Sequence, residues 1–250
     1  MSNHNITLAE TVYQGAAYYE KFNTGTSPKR GLPVSFPIFC DLGAPAVADA
    51  DSLVKAATST ELPNAETVTY VIATAGGSSP IDGVDSDGIQ DVARNIVSTV
   101  THGSSVVAMT IVYTGLDAYG ETVSETHTIP ATGTSQVVNG AKAFKSITSV
   151  AITAAGNAEA NTLNAGFGDV IGLPYRITDK NQVLTMFDGQ PDAAVVVIAD
   201  DTTATATTGD IRGTVNPNGT LDGSKKLGAW IVPASRTTKT GAFGIAQYGG

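Results

Sequence analysis

Few residues of this chain could do chemistry: three histidines, one cysteine, and 23 acidic side chains against 14 basic ones. The densest cluster is Ile81-Asp82-Gly83-Val84-Asp85-Ser86-Asp87-Gly88-Ile89-Gln90-Asp91, and a hard cation such as calcium needs several carboxylate oxygens on one tight loop. Setting Asp85, Asp87 and Gly88 on the EF-hand pattern places Gly83 at the first ligand position and Arg94 at the last, and neither can ligate there. The stretch reads instead as a solvated turn whose aspartates cap local amides. His127 shares a strand face with Glu125, and His102 precedes a Gly-Ser-Ser turn, but neither has a nucleophile or third ligand at a motif spacing. Gly-x-Ser-x-Gly, His-Glu-x-x-His and the phosphate-binding loop pattern are absent. Asp200 and Asp201 are adjacent, so at a strand end they point to opposite faces and cannot act as a glycosidase pair. The expectation is a chain that is not an enzyme, with no catalytic residue, no cofactor and no metal ligand.

The elements that must position these residues are β-strands. Val, Thr, Ala and Ser are abundant beside Gly 27 and Pro 11, while Leu, Lys and Glu are sparse. Residues 1–64 lack a steady period, and Pro28, Pro33, Pro37, Pro45 and Pro63 interrupt them, which predicts an extended N-terminal arm. Residues 48–60, rich in Ala with Asp49 and Asp51 at the front, read as a short helix within it. From residue 65 to 250 short Val/Ile/Thr runs separated by Gly, Asp, Asn and Ser predict a mainly β body, an antiparallel β-sandwich or barrel, with a division near 178–190 left open. The expected strands are 67–74, 96–101, 106–114, 122–129, 141–153, 166–177, 182–187, 193–198, 209–215 and 226–232, with 130–140 a polar loop, 154–164 a loop and 241–250 a tail. The strongest local signal is the hairpin 106–129, with Met109, Ile111 and Tyr113 on one face and Val123, Glu125, His127 and Ile129 sharing another.

Composition excludes several partners. The net charge is −9, charged residues make up 15% of the chain against a usual ~25%, and the longest basic clusters are Lys29-Arg30 and Lys225-Lys226. Nucleic acid and anionic membranes are not expected partners. No apolar run reaches the ~20 residues of a spanning helix, and the polar start of the chain carries no export signal, so the Asn5-Ile6-Thr7 and Asn218-Gly219-Thr220 sequons are empty matches. One cysteine, Cys40, excludes an intramolecular disulfide.

Asp91-Val92-Ala93-Arg94-Asn95-Ile96-Val97, then residues 111–126, then Lys142-Ala143-Phe144-Lys145-Ser146-Ile147, and downstream Gly168-Asp169-Val170-Ile171-Gly172-Leu173-Pro174, resemble a module of virion structural proteins of tailed bacteriophages. The resemblance covers residues 91 to 177, with a weaker echo at 207–214 and 222–226. It implies a virion structural protein, and within that class a capsid decoration (cement) protein: made in the host cytoplasm, bound to the outer surface of the head, partnered by the major capsid protein and by itself as a homotrimer. The apolar arm supplies the candidate contacts Tyr13, Tyr18, Tyr19, Phe22, Phe36, Ile38 and Phe39, since aromatic anchors dominate interface energy. Packing of the arm on its own body is the competing reading. A phage tail protein, tube or tail-associated subunit, is the alternative function. A host-surface glycan-binding module is more remote, because Trp230 in Ala229-Trp230-Ile231-Val232 reads as core.

Overall fold

The computed structural model describes residues 37–57, 62–72, 89–200, 207 and 209–232. Tyr13, Tyr18, Tyr19, Phe22 and Phe36, the carboxylates Asp82, Asp85 and Asp87, Asp201 and the tail 241–250 lie outside them. The described chain is mainly β, as expected, and its antiparallel strands curl into a half-barrel. In chain order the strands are β1 Ile38–Asp41, β2 Asp49–Ala57, β3 Thr67–Val71, β4 Ile89–Thr101, β5 Met109–Leu116, β6 Thr122–Ile129, β7 Ser135–Asn139, β8 Phe144–Ala154, β9 Thr162–Gly172, β10 Val183–Phe187, β11 Gln190–Pro191, β12 Val195–Ile198, β13 Gly213–Asn216 and β14 Leu227–Ile231. A 3-10 turn, Lys180–Gln182, precedes β10.

The hairpin β5–β6 forms where the alternation places it. Its register runs from Met109↔Ile129 to Leu116↔Thr122, and Met109, Ile111 and Tyr113 are buried. The turn between them is closed by Asp117, whose carboxylate accepts the amides of Tyr119 and Glu121, and by Gly120 at φ +81°. Such a hairpin needs further sheet, and β8 supplies it, pairing with β5 along one edge and with β3 along the other. β4 couples this layer to the rest: its start pairs with β8, while its later residues pair with β9 on one side and β7 on the other. β9 then carries β2, and β13 with β12, so ten strands form one sheet in the path β12-β13-β9-β4-β8-β5-β6. The inward faces enclose a core of Ile96, Val100, Ile111, Tyr113, Val150, Ile152, Leu163 and Phe167. A second sheet, β1-β14-β10-β11, covers a separate core around Ile171, Ile177, Val215 and Leu227.

Three expectations differ from this. The described part of residues 48–60 is not helical: Asp49–Ala57 is β2, antiparallel to β9, and the burial of Leu53 and Val54 outweighs the helix propensity of its alanines. The polar loop 130–140 contains β7, held by the second half of β4 with Val137 outward and Val138 against the core. Within residues 1–64, expected to be an arm, β1 is extended as expected, but it and β2 belong to the two sheets of the body.

β2 can lie on β9 because Gly166 has no side chain: a Cβ there would run into the Asp49 carbonyl. Gly166→Ala is therefore expected to lower stability by about 1–3 kcal/mol, the range of overpacking changes, read as a lower urea midpoint. Gly209→Ala, where a Cβ meets open space, should leave the midpoint within about 0.5 kcal/mol of the parent. Equal midpoints for the two variants would count against this packing of β2.

Candidate functional site

β14 is a central strand of the small sheet, with β1 on one side and β10 on the other, and alternation sorts its side chains. Leu227, Ala229 and Ile231 are buried against the second core, so Gly228 and Trp230 face outward. The same rule turns Cys40 inward on β1 and leaves Phe39 outside. Register then places Phe39 opposite Trp230 and Trp230 opposite Leu184, a row of three large apolar side chains across three strands. They are 50%, 41% and 53% exposed. The rings of Phe39 and Trp230 lie 5.1 Å apart and tilted by 54°, a favourable aromatic geometry. The expectation of a core Trp230 is thus overturned: its apolar run is a strand whose neighbours Ala229 and Ile231 take the inside.

Gly228 gives this face relief. It stands in the next row between Asp41 and Met186, and its missing side chain leaves space into which the Phe39 ring leans, since a Cβ there would meet Phe39 Cζ at 2.7 Å. The result is a hollow of about 270 Å³ bounded by Phe39, Trp230, Met186, Gly228, Asp41 and Lys226. At its rim Lys226 Nζ stands 3.9 Å from Asp41, and both are well exposed, so the pair contributes little energy. Of the sequence-derived contact residues inside the described chain, Phe39 is on this face, while Ile38 packs against the second core.

A larger cavity, about 380 Å³, lies where the two sheets meet, with Leu42, Val92, Ile171 and Leu173 among its walls and Tyr119 and Arg212 at one side. Arg212 is buried and its Nη1 donates to Asp117 at 2.5 Å, while the Tyr119 ring covers the guanidinium at 4.7 Å. Tyr119 also donates its hydroxyl to the Pro174 carbonyl, and burial pushes its phenol up to about 12 against the opposing pull of Arg212. Asp210 accepts the amides of Ala143 and Arg212, yet burial dominates and raises its carboxyl. Burial likewise lowers the Lys142 ammonium. These groups tie the β5–β6 turn, the start of β8 and the approach to β13 together.

A third polar group sits inside the main core. Ser98 Oγ is 2.7 Å from both Tyr113 Oη and His127 Nδ1, and His127 Nε2 is 3.6 Å from Glu125 Oε2. The order serine, histidine, carboxylate has the form of a nucleophilic triad, but Ser98 has no exposed surface on which a substrate could meet it. Glu125 Oε1 is already taken by the amides of Ala141 and Lys142. The group acts as a polar tie among β4, β5 and β6. Alternation placed Glu125 and His127 together from sequence; Ser98 and Tyr113 were findable only as polar atoms at inward positions of apolar strands. His102 is buried as well, and among the described residues no three His, Cys, Asp or Glu side chains are placed to hold a metal ion.

No family model, curated protein or solved structure matches this chain. Geometry is therefore what defines the site: an exposed, aromatic, nearly uncharged sheet face suited to docking.

Burial on the inner side of the same sheet raises the Cys40 thiol to about 11. At pH 8 its thiolate fraction is about a hundredfold below that of an unburied cysteine, so alkylation by iodoacetamide should be slower by about that factor and reach the ordinary rate only in denaturant. Fast alkylation of the folded chain would show that β1 does not hold Cys40 inward.

Proposed function

We propose that this chain is a virion structural protein of a tailed bacteriophage, a capsid decoration (cement) protein that binds the outer surface of the head and stabilises contacts between major capsid subunits. The observation that carries the reading is the row Phe39, Trp230 and Leu184, because a flat apolar sheet face with two aromatic anchors has the composition of an interface core. The phage-like stretches support it from another side: residues 91 to 177 run from the third residue of β4 through β9, six of the ten strands of the main sheet. A laterally bonded β body suits a cement protein, since shear on it is borne by many strand pairs at once. The arm residues Tyr13, Tyr18, Tyr19, Phe22 and Phe36 would extend the contact across a subunit seam, and three copies at a local threefold would multiply it. A tail-tube or tail-associated subunit is the rival within the same class, and copy number separates the two.

One observation favours a second reading. Trp230 and Phe39 are exposed beside the Asp41 and Lys226 side chains, an arrangement in which sugar faces could stack, as a host-surface glycan-binding module would require.

Purified chain added to heads that lack it should bind in copies comparable to the major capsid protein, counted by quantitative mass spectrometry. Trp230→Ala should weaken that binding about thirtyfold, the equivalent of one hot spot of about 2 kcal/mol, with the fold intact by circular dichroism. Unchanged occupancy for Trp230→Ala would remove this face from the interface. A few copies per particle would move the chain to the tail, and no affinity for heads with retention on a glycan array would favour the second reading.

A further inference from the structure

β12 ends the large sheet: β13 pairs with it on one side, and no strand among the described residues pairs with the other. Its residues are Val195, Val196, Val197 and Ile198, with Val195 61%, Val197 50% and Ile198 38% exposed. Natural sheets guard such an edge with lysine, proline or a bulge, and β12 has none of these. The charged residues next to it in sequence share one sign, Asp192 before it, whose carboxylate accepts the Asn218 amide just beyond β13, and Asp200 and Asp201 after it. Antiparallel pairing with the β12 of a second copy would set Asp192 of one copy against the aspartates of the other, which is unfavourable. The edge instead suits an extended segment that is apolar or hydroxyl-bearing and carries positive charge.

The chain contains such a segment. Residues 233–250, Pro-Ala-Ser-Arg-Thr-Thr-Lys-Thr-Gly-Ala-Phe-Gly-Ile-Ala-Gln-Tyr-Gly-Gly, hold Arg236 and Lys239 and no acidic residue, within a chain of net charge −9. Val232, to which the segment is joined, is held near β12: its amide donates to the Gln182 carbonyl at 2.8 Å, and Gln182 closes the 3-10 turn that lies against β12. Extended, these eighteen residues reach about 60 Å, several times the roughly 13 Å length of a four-residue strand. Tethering at that distance gives an effective concentration in the millimolar range, well above that of any free partner. We propose that the free edge of β12 is a strand-acceptor site and that the C-terminal segment 233–250 of the same molecule is its occupant, seated by backbone hydrogen bonds and by Arg236 and Lys239 against the flanking aspartates. The inference stands apart from the head-surface reading and does not depend on it. Its consequence is a capped edge on a protein that would otherwise offer a template for open-ended strand addition.

Amide exchange followed by NMR on the full chain tests this. Those amides of Val195–Ile198 that point away from β13 should exchange at least tenfold more slowly than in an unstructured peptide. A Thr238→Pro, Thr240→Pro double variant should remove that protection while amides of β5 and β8 keep theirs, and Arg236→Asp with Lys239→Asp should reduce it, more so at low salt. Unprotected amides in the parent chain would overturn the proposal, as would protection that neither variant changes, which would mean that another segment covers the edge. Protection that appears only as concentration rises, together with a dimer mass in sedimentation, would assign the site to the tail of a second copy and overturn the assignment to the same molecule.

Discussion

The whole arrangement depends on a break in one strand. β4 is thirteen residues long and must pair with β8 at its start and with β7 later, while following β9 on its other edge. A regular strand cannot change partners without losing its ladder, and β4 manages it through register shifts on both sides of Arg94. The break exposes backbone groups that side chains then satisfy. Arg94 is buried and donates to the carbonyls of Gly168 in β9 and Ala46 in the β1–β2 connection; Asn95 bonds the Gly140 carbonyl and the Val170 amide. Gly168 has no side chain because Asn95 occupies the place where a Cβ would be. Three segments distant in sequence are thereby held around two residues of β4.

Much of this was legible in the sequence, and what was not has physical reasons. Alternation over residues 106–129 was enough to place the β5–β6 hairpin and its faces, because both strands are half buried and a shift of one residue would turn each inside out. The Ala-rich stretch from residue 48 misled because alanines behind leading aspartates favour helix locally, whereas β2 is a strand only because β9 has Gly166 waiting beneath it. β7 was hidden for a similar reason: its Ser, Gln and Asn say loop, and only the free second half of β4 makes it a strand. Trp230 was misjudged because an apolar run gives no phase. The phase came from which of Leu227, Ala229 and Ile231 the second core could take, a tertiary fact. Arg94 entered the sequence reading as the residue that spoils a calcium loop and as part of the phage-like stretch, although an arginine between Val-Ala and Ile-Val pairs at the head of a strand signals a buried guanidinium with carbonyls to bind.

The two sheets bear different loads. The large one contains the main core and the enclosed Ser98, Tyr113, His127 and Glu125 tie, so its interior is set by hydrogen bonds as well as by packing. The small one is thin, with apolar residues on both sides of β14, and its outward row is unprotected by charge. Burying Trp230 and Phe39 instead would have required a third layer, which no described segment provides. Among the described residues the exposed row is thus the point at which packing runs out.

How the small sheet is held then decides where that row faces. Within the large sheet the Arg212–Asp117 pair under Tyr119, with Asp210 accepting the amides of Ala143 and Arg212, ties the β5–β6 turn and the start of β8 to the approach to β13, the strand whose Val215 packs in the second core beneath the small sheet. Two charges taken out of water recover their desolvation cost only in good geometry, so such a pair adds little stability compared with apolar side chains of the same volume. What it does add is direction. Apolar contacts around Ile171, Leu173 and Leu227 join the two sheets and would tolerate some sliding, whereas a buried guanidinium engaged by one carboxylate and covered by one ring holds the large-sheet side of that shared core with very little play. A docking surface needs that fixity more than it needs added stability, because loose anchors must be immobilised when the partner binds and affinity falls accordingly.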